Sequence, residues 1–297
     1  MLKKFNRQAF SLIELSIVIL IIGILVAGVT QSSRLLSQFR LMAIRSQTIN
    51  SVVPSIQGLK MWLETSMEKS FDISPSEGDP IQNWIDINPT NLNKIIASQP
   101  TISRAPTYNM SSGMPLIRFN CTTNYYFLPN STIPPNDMPY TVFTVINISS
   151  SVTFPYTSVL NAGVWPSDIN IFRFDSMKYS NITGNGFVQN NFFYSNTTMT
   201  HNKLRIYTST YDNRNPSARI KNLYVNSIPD GTSTFNFPMQ TPSNNNFIGN
   251  SPWAGDNENF CGTMAEIIIY ERTLSNDERL SVENYLAKKW FVKLGTM

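Results

Sequence analysis

The chain has 297 residues, enough for one large β domain or two ordinary ones, and only 14 % of them are charged while 12 % are aromatic. Sparse charge with abundant Asn, Ser, Thr, Tyr and Phe points to a β-rich exported domain rather than a cytosolic enzyme. The formal charge of +4 is concentrated at the start, in Lys3, Lys4 and Arg7, so the nearly neutral remainder excludes a basic nucleic-acid surface.

Residues 10–29, FSLIELSIVILIIGILVAGV, form an apolar run about 30 Å long as a helix, the thickness of a bilayer core. The short basic stretch before it predicts that the carboxyl-terminal bulk lies outside the cytoplasm. An ordinary secretory signal places its small cleavage residue after the apolar core; here the small residue, Ala9, precedes it, so cleavage there would leave a mature chain starting at Phe10. Glu14 lies inside the run. A carboxylate in hydrocarbon costs about 2.5–3.5 kcal/mol and needs a cation to meet it, which the amino group of Phe10 in an adjacent copy would provide. KKFNRQAFSLIELSIVILIIGILVAG resembles the class III leader and amino-terminal helix of type IV pilins and pseudopilins, except that Ala9 stands where the family usually has Gly. The resemblance implies cleavage by a prepilin peptidase between Ala9 and Phe10, methylation of the new terminus, and a role for Glu14 in assembly with other pilin or pseudopilin subunits.

Beyond Val29, the spacing of Leu35, Phe39, Met42, Ile49, Val53 and Ile56 predicts an amphipathic continuation of the helix, ended near Val53 by Pro54. From about residue 59 the pattern changes to short apolar or aromatic runs separated by Gly, Pro, Asn and Asp. PLIRFN (115–120), YTVFTVINI (140–148), INIFRFD (169–175), GFVQNNFFYS (186–195), KLRIYTSTY (203–211), ARIKNLYVNS (218–227) and TMAEIIIYE (263–271) read as strands of a β-sandwich or jelly roll. At the end, Leu280, Val282, Tyr285, Leu286 and Trp290 predict a helix over 274–290, with Ser275 and Glu278 spaced as a capping box. The two cysteines, Cys121 and Cys261, fit either one disulfide or two buried thiols.

Three blocks resemble the laminin-G-like, concanavalin-type sandwich domains of bacterial surface proteins. LKMWLE with IQNWIDIN carries Trp62, Trp84 and Asp86, with Glu64 where Asp is commoner. RAPTYNMSSGMPLIRFN ends in Arg118 and Phe119. The closing block, 246–290, carries Gly249, Gly262, Glu266, Tyr270, Leu274, Glu278, Arg279, Tyr285 and Trp290 in order. Cys121 follows the Arg-Phe strand where Gly is frequent, and the resemblance favours a Cys121–Cys261 bond.

Chemistry is sparse. The one histidine, His201, reads as a surface residue, and neither a phosphate cradle nor a metalloprotease or C-x-x-C motif is present. A glycosidase needs two carboxylates facing one cleft; Glu266 and Glu271, five apart on a predicted strand, face opposite ways. Asp256, Glu258 and Asp212, in Asp/Asn-rich segments, are candidate oxygen ligands for calcium, and Trp165 and Trp253, beside prolines, are candidates to stack on sugar rings.

The expectation is a mainly β, non-enzymatic protein in three parts: a leader at 1–9, a membrane and assembly helix at 10–57, and a concanavalin A-like sandwich at 58–297 closed by a C-terminal helix. Its expected role is that of a minor or tip pilin-like subunit of the bacterial inner membrane, its head outside the cytoplasm and, after assembly, in a periplasmic or extracellular filament. The expected ligand is a carbohydrate or another surface ligand. The alternative is a pseudopilin of a type II secretion system contacting exported substrate.

Overall fold

A computed structural model describes residues 12–110, 113–151, 156–163, 169–175, 178–182, 192–239, 244–251 and 258–295. A long helix, α1 (Leu12–Ile49), leads into two packed antiparallel sheets, and a second helix, α2 (Asn276–Trp290), closes the chain.

α1 stops four residues short of the expected boundary. The Ser51 hydroxyl accepts the Val53 N–H at 3.0 Å, a local bond that competes with the helical ladder. Pro54 instead starts a single 3-10 turn, Val53–Ser55. The sandwich packs against the later part of α1, from about Ser37 onward. Ile44 and Thr48 are buried, Arg45 donates to the Ser66 carbonyl at 2.8 Å and pairs with Glu68 at 3.1 Å, and the Thr48 and Ser66 hydroxyls are 3.4 Å apart. Large side chains from Leu12 to Val26, and Leu35, Leu36, Phe39, Met42 and Ile49 beyond them, stay exposed.

One sheet runs in the order β14 (Ile228–Phe235), β13 (Arg219–Val225), β12 (Leu204–Asp212), β7 (Tyr140–Ile148), β16 (Cys261–Tyr270), β5 (Leu116–Asn120), β4 (Thr107–Asn109), with β1 (Leu59–Glu64) also pairing with β16. Along one edge of β16, residues 261–264 pair with β5 and residues 266–270 with β1. The other sheet runs β11 (Phe192–Thr198), β10 (Lys178–Ile182), β9 (Ile169–Asp175), β8 (Tyr156–Ala162), β15 (Asn246–Ile248), β6 (Tyr126–Leu128), β3 (Ile96–Ser98), β2 (Asn83–Ile85). The two sheets form an open sandwich rather than a closed barrel, as the sequence predicts.

β16 is apolar on both faces because both are covered. Ile267 and Ile269 enter the core between the sheets, beside Trp84, Phe119 and Tyr126. Ile268 and Tyr270 enter a second core under α2, with Val282, Leu286 and Trp290. The Ser275–Glu278 capping box forms at the start of α2. Leu280 is only half-buried, and the buried face of α2 also takes in Arg279, Glu283 and Lys289. Cys121 and Cys261 are joined by a disulfide, Cα–Cα 4.0 Å, across the β5–β16 pair.

Candidate functional site

The outer face of the sheet that contains β7, β16 and β5 changes character along its strands. On β7 the outward residues are Phe143 and Val145 under α2, then Asn147 beyond it. On β5 they are Leu116, then Arg118 and Asn120. The inward residues of the same strands, Ile117, Phe119, Ile146 and Ile148, stay in the core throughout. Cross-strand register then brings four outward polar residues into one row: Thr107 opposite Arg118, Arg118 opposite Thr263, and Thr263 opposite Asn147. Side chains opposite one another on one face of a sheet lie within contact distance. This row floors a cavity of about 580 Å³ beside the disulfide.

The rim is fixed by side-chain to backbone bonds. The Asn120 amide oxygen accepts N–H groups of Thr122, Thr123 and Asn124 at 3.1, 2.9 and 3.1 Å, a turn that holds the β5 end. On the opposite wall the Asn202 N–H donates to the Ile148 carbonyl at 2.8 Å, and the His201 ring nitrogen lies 3.1 Å from the Ser149 carbonyl. The lone histidine thus stands behind the wall, next to Asn202, and does not line the cavity. Gly262, at φ +148°, lets β16 approach β7 closely; a Cβ there would lie 2.0 Å from the Asn147 carbonyl oxygen. Beneath the floor, Asn147 Oδ1 and Thr263 Oγ1 are buried from solvent and have no hydrogen-bond partner among the described residues. Amides and hydroxyls in a groove of this size can exchange hydrogen bonds with a polyhydroxylated ligand.

Several of the motif residues quoted for the sandwich resemblance, Trp62, Glu64, Glu266, Tyr285 and Trp290, lie elsewhere, in a sealed cluster under α2. Lys289 Nζ is 2.9 Å from Glu64 and 2.8 Å from Glu266, and all three side chains are fully buried. Glu266 also accepts from Trp62 Nε1, Tyr285 Oη and Trp290 Nε1 at 2.6, 2.8 and 2.6 Å. Burial pushes the Glu64 carboxyl up, but the Lys289 ammonium and hydrogen bonds from Ser66, Lys289 and Ser70 outweigh it and hold the group below the ordinary carboxylate range. Asp86 braces the opening strands by accepting the Trp62 and Asn88 N–H groups, each at 2.9 Å, and burial raises its pKa. These residues set the framework that leaves the groove open.

The sequence-derived sites fall as follows. Glu14 lies in the first turn of α1 and is exposed. Ala9, Phe10, Trp165, Trp253 and Asp256 lie outside the described residues. Glu258 is buried and pairs with Arg173 at 2.9 Å, while Asp212 is chelated by the Arg214 guanidinium. Among the described residues no cluster of three metal-ligating side chains occurs. Glu266 is sealed under α2, and Glu271, past the end of β16, pairs with Lys60 at 2.7 Å. The groove residues Asn147 and Thr263 were not singled out from the sequence, and Arg118 was quoted only as part of a strand. The available signal was the outward series Phe143, Val145, Asn147, in which an apolar face turns polar.

Residues 120–278 match the profile of the concanavalin A-like lectin/glucanases superfamily, and residues 4–30 match the prokaryotic N-terminal methylation motif. The chain belongs to the concanavalin A-like lectin/glucanases superfamily and carries at its amino terminus the methylation motif of type IV pilins. The motif marks it as an envelope-associated, pilin-like subunit with a carbohydrate-binding-type domain. No curated protein matches the sequence. Among solved structures, Trypanosoma rangeli sialidase in complex with a difluorinated 2-keto-3-deoxynononic acid is similar in fold, with TM-score 0.53, 15 % identity, 78 % of this chain and 33 % of that one covered. The same sialidase without that ligand gives TM-score 0.52 at 16 % identity, covering 78 % and 33 %. Domain 4 of AbnA, an extracellular arabinanase from Geobacillus stearothermophilus, in complex with arabinotriose, gives TM-score 0.48 at 16 % identity, covering 76 % and 97 %. The chain spans about a third of the length of the sialidases it matches.

Proposed function

We propose that this chain is a non-catalytic, minor or tip subunit of a type IV pilus-like filament, whose sandwich head binds a saccharide in the groove floored by Thr107, Arg118, Thr263 and Asn147. In this reading a prepilin peptidase cuts between Ala9 and Phe10, and the apolar first half of α1 inserts in the inner membrane with the head outside the cytoplasm. Glu14 then meets the amino terminus of a neighbouring subunit. The exposed Leu35, Phe39, Met42 and Ile49 continue the assembly surface beyond the bilayer.

The observation that carries the reading is the division of the outer sheet face. α2 and the end of α1 cover its apolar half, and its polar half is left as an open groove. The carboxylates weighed for glycoside cleavage support a non-catalytic role, because Glu266 is sealed and Glu271 is ion-paired.

The test is deletion of the gene, complemented with the full chain, with Glu14→Ala, or with Asn147→Ala. The proposal expects loss of surface attachment on deletion. It expects no incorporation into sheared filaments for Glu14→Ala, and normal incorporation with poor attachment for Asn147→Ala. Normal attachment with loss of a secreted protein would instead make the chain a pseudopilin.

A further inference from the structure

Arg118 occupies the middle of the polar row, flanked in register by Thr107 on β4 and Thr263 on β16. Its side chain is exposed, and it enters no ion pair or hydrogen bond among the described residues. Other arginines of the head are engaged. Arg173 pairs with Glu258, Arg214 with Asp212, Arg219 with Asp137, Arg272 with Glu278 and Arg279 with Glu283. Among the described residues lining the groove there is no Asp, Glu or Lys, and Arg118 is the one charged side chain.

We infer that the groove selects an acidic saccharide, one whose sugar carboxylate is taken by the Arg118 guanidinium while the amide and hydroxyl side chains lining the groove bond ring hydroxyls. The inference rests on the saccharide-binding reading above and names the class of its ligand. A guanidinium presents a planar fork of donors that matches a carboxylate with two parallel hydrogen bonds. A neutral sugar would leave the guanidinium without a carboxylate partner, and a groove serving only neutral sugars has no need of an uncompensated cation at its centre. The positive potential of the Arg118 guanidinium also favours entry of anions. Because the row is set by strand register, the distance from the Arg118 position to the Asn147 position is fixed by two strand spacings, about 9–10 Å. That span fits one to two sugar rings, so the charged sugar sits towards β5 and its neighbour towards β7.

The experiment titrates the full chain, reconstituted in lipid nanodiscs, with glucuronate-, galacturonate- and sialate-bearing oligosaccharides. Each is paired with its carboxyl-reduced, neutral counterpart, and a sulfated neutral oligosaccharide is included. At least one carboxylated member should bind about tenfold or more tightly than its reduced partner, and Arg118→Gln should abolish that difference. Arg118→Lys should retain part of it, since charge remains but the fork is lost. Asn147→Ala should weaken the acidic and reduced forms alike. Equal binding of acidic and reduced forms, unchanged by Arg118→Gln, would overturn the inference while leaving saccharide binding intact. Preference for the sulfated oligosaccharide over every carboxylated one would overturn the carboxylate assignment. No binding of any saccharide would overturn both readings.

Discussion

Lys289, on α2, places its ammonium 2.9 Å from the carboxylate of Glu64, on β1, across 225 residues of sequence, and both side chains are fully buried. The same ammonium is 2.8 Å from Glu266 on β16. A single cation thus ties the first strand, the central strand and the closing helix at the point where α1 enters the head. Ser66, which donates to Glu64 through its N–H and hydroxyl, also receives Arg45 from α1 at its carbonyl. α1 and the sandwich are coupled through this cluster.

Removing the cation should be severe. Lys289→Met leaves two carboxylates buried without their counter-ion, and breaking a buried pair from one side costs about 3–5 kcal/mol. The urea midpoint should fall accordingly, with α2 loosened from the sheet. A midpoint within experimental error of wild type would mean that the cluster contributes nothing to holding the closing helix.

The capping box of α2 gives an acid dependence with a definite sign. Glu278 receives Arg272 through two bonds, at 2.9 and 2.5 Å, and its pKa is lowered from the ordinary 4.5 to about 2, chiefly by Arg272 and then by the Ser275 N–H. A depressed carboxyl pKa stabilises the fold above the unfolded value and loses that contribution as pH falls towards the folded one. Between about pH 4.5 and about pH 2, wild type should therefore lose more stability than Glu278→Gln, measured as urea midpoints at each pH. Parallel curves would remove Glu278 from the acid response. Glu64, also lowered, adds to the slope in both proteins.

The disulfide closes a separation of 140 residues. Replacing both cysteines by serine should cost about 2–5 kcal/mol, much of it through the unfolded chain. The check is denaturant unfolding of the double variant against the oxidised protein. Stability equal to wild type would show that the strand pairing of β5 and β16 suffices by itself.

Much of the framework was legible in the sequence, for local reasons. Tyr140–Ile148 and Ile169–Asp175 were read with their observed ends because turn residues bracket an apolar run. Ser275 and Glu278 announced α2 through a pairing only three residues long. The three-residue strands β2, β3, β4, β6 and β15 are too short to establish a period. β14 hides behind Pro229, Asp230 and Gly231, which read as a turn, and a bulge interrupts its register. β8 is buried along Thr157–Ala162 and interrupted by bulges, so no alternation survives in it.

The site was harder to read. Glu64 and Lys289 look like surface charges until the fold brings them together. Arg118 and Asn147 become neighbours of Thr263 only through strand register, which depends on pairing across more than a hundred residues. By contrast, the Glu14 motif is legible because it is a local contradiction, a carboxylate within an apolar run.

The most direct measurement is the intact mass and amino-terminal sequence of the protein extracted from the envelope of the cells that make it. A chain beginning with N-methylated Phe10 is the predicted result, and it would put Glu14 five residues into the mature protein, beside the methylated terminus of a neighbouring subunit. A chain beginning at Met1, unmethylated, would contradict the pilin-like assembly and reduce the molecule to a sandwich domain on a simple helical anchor.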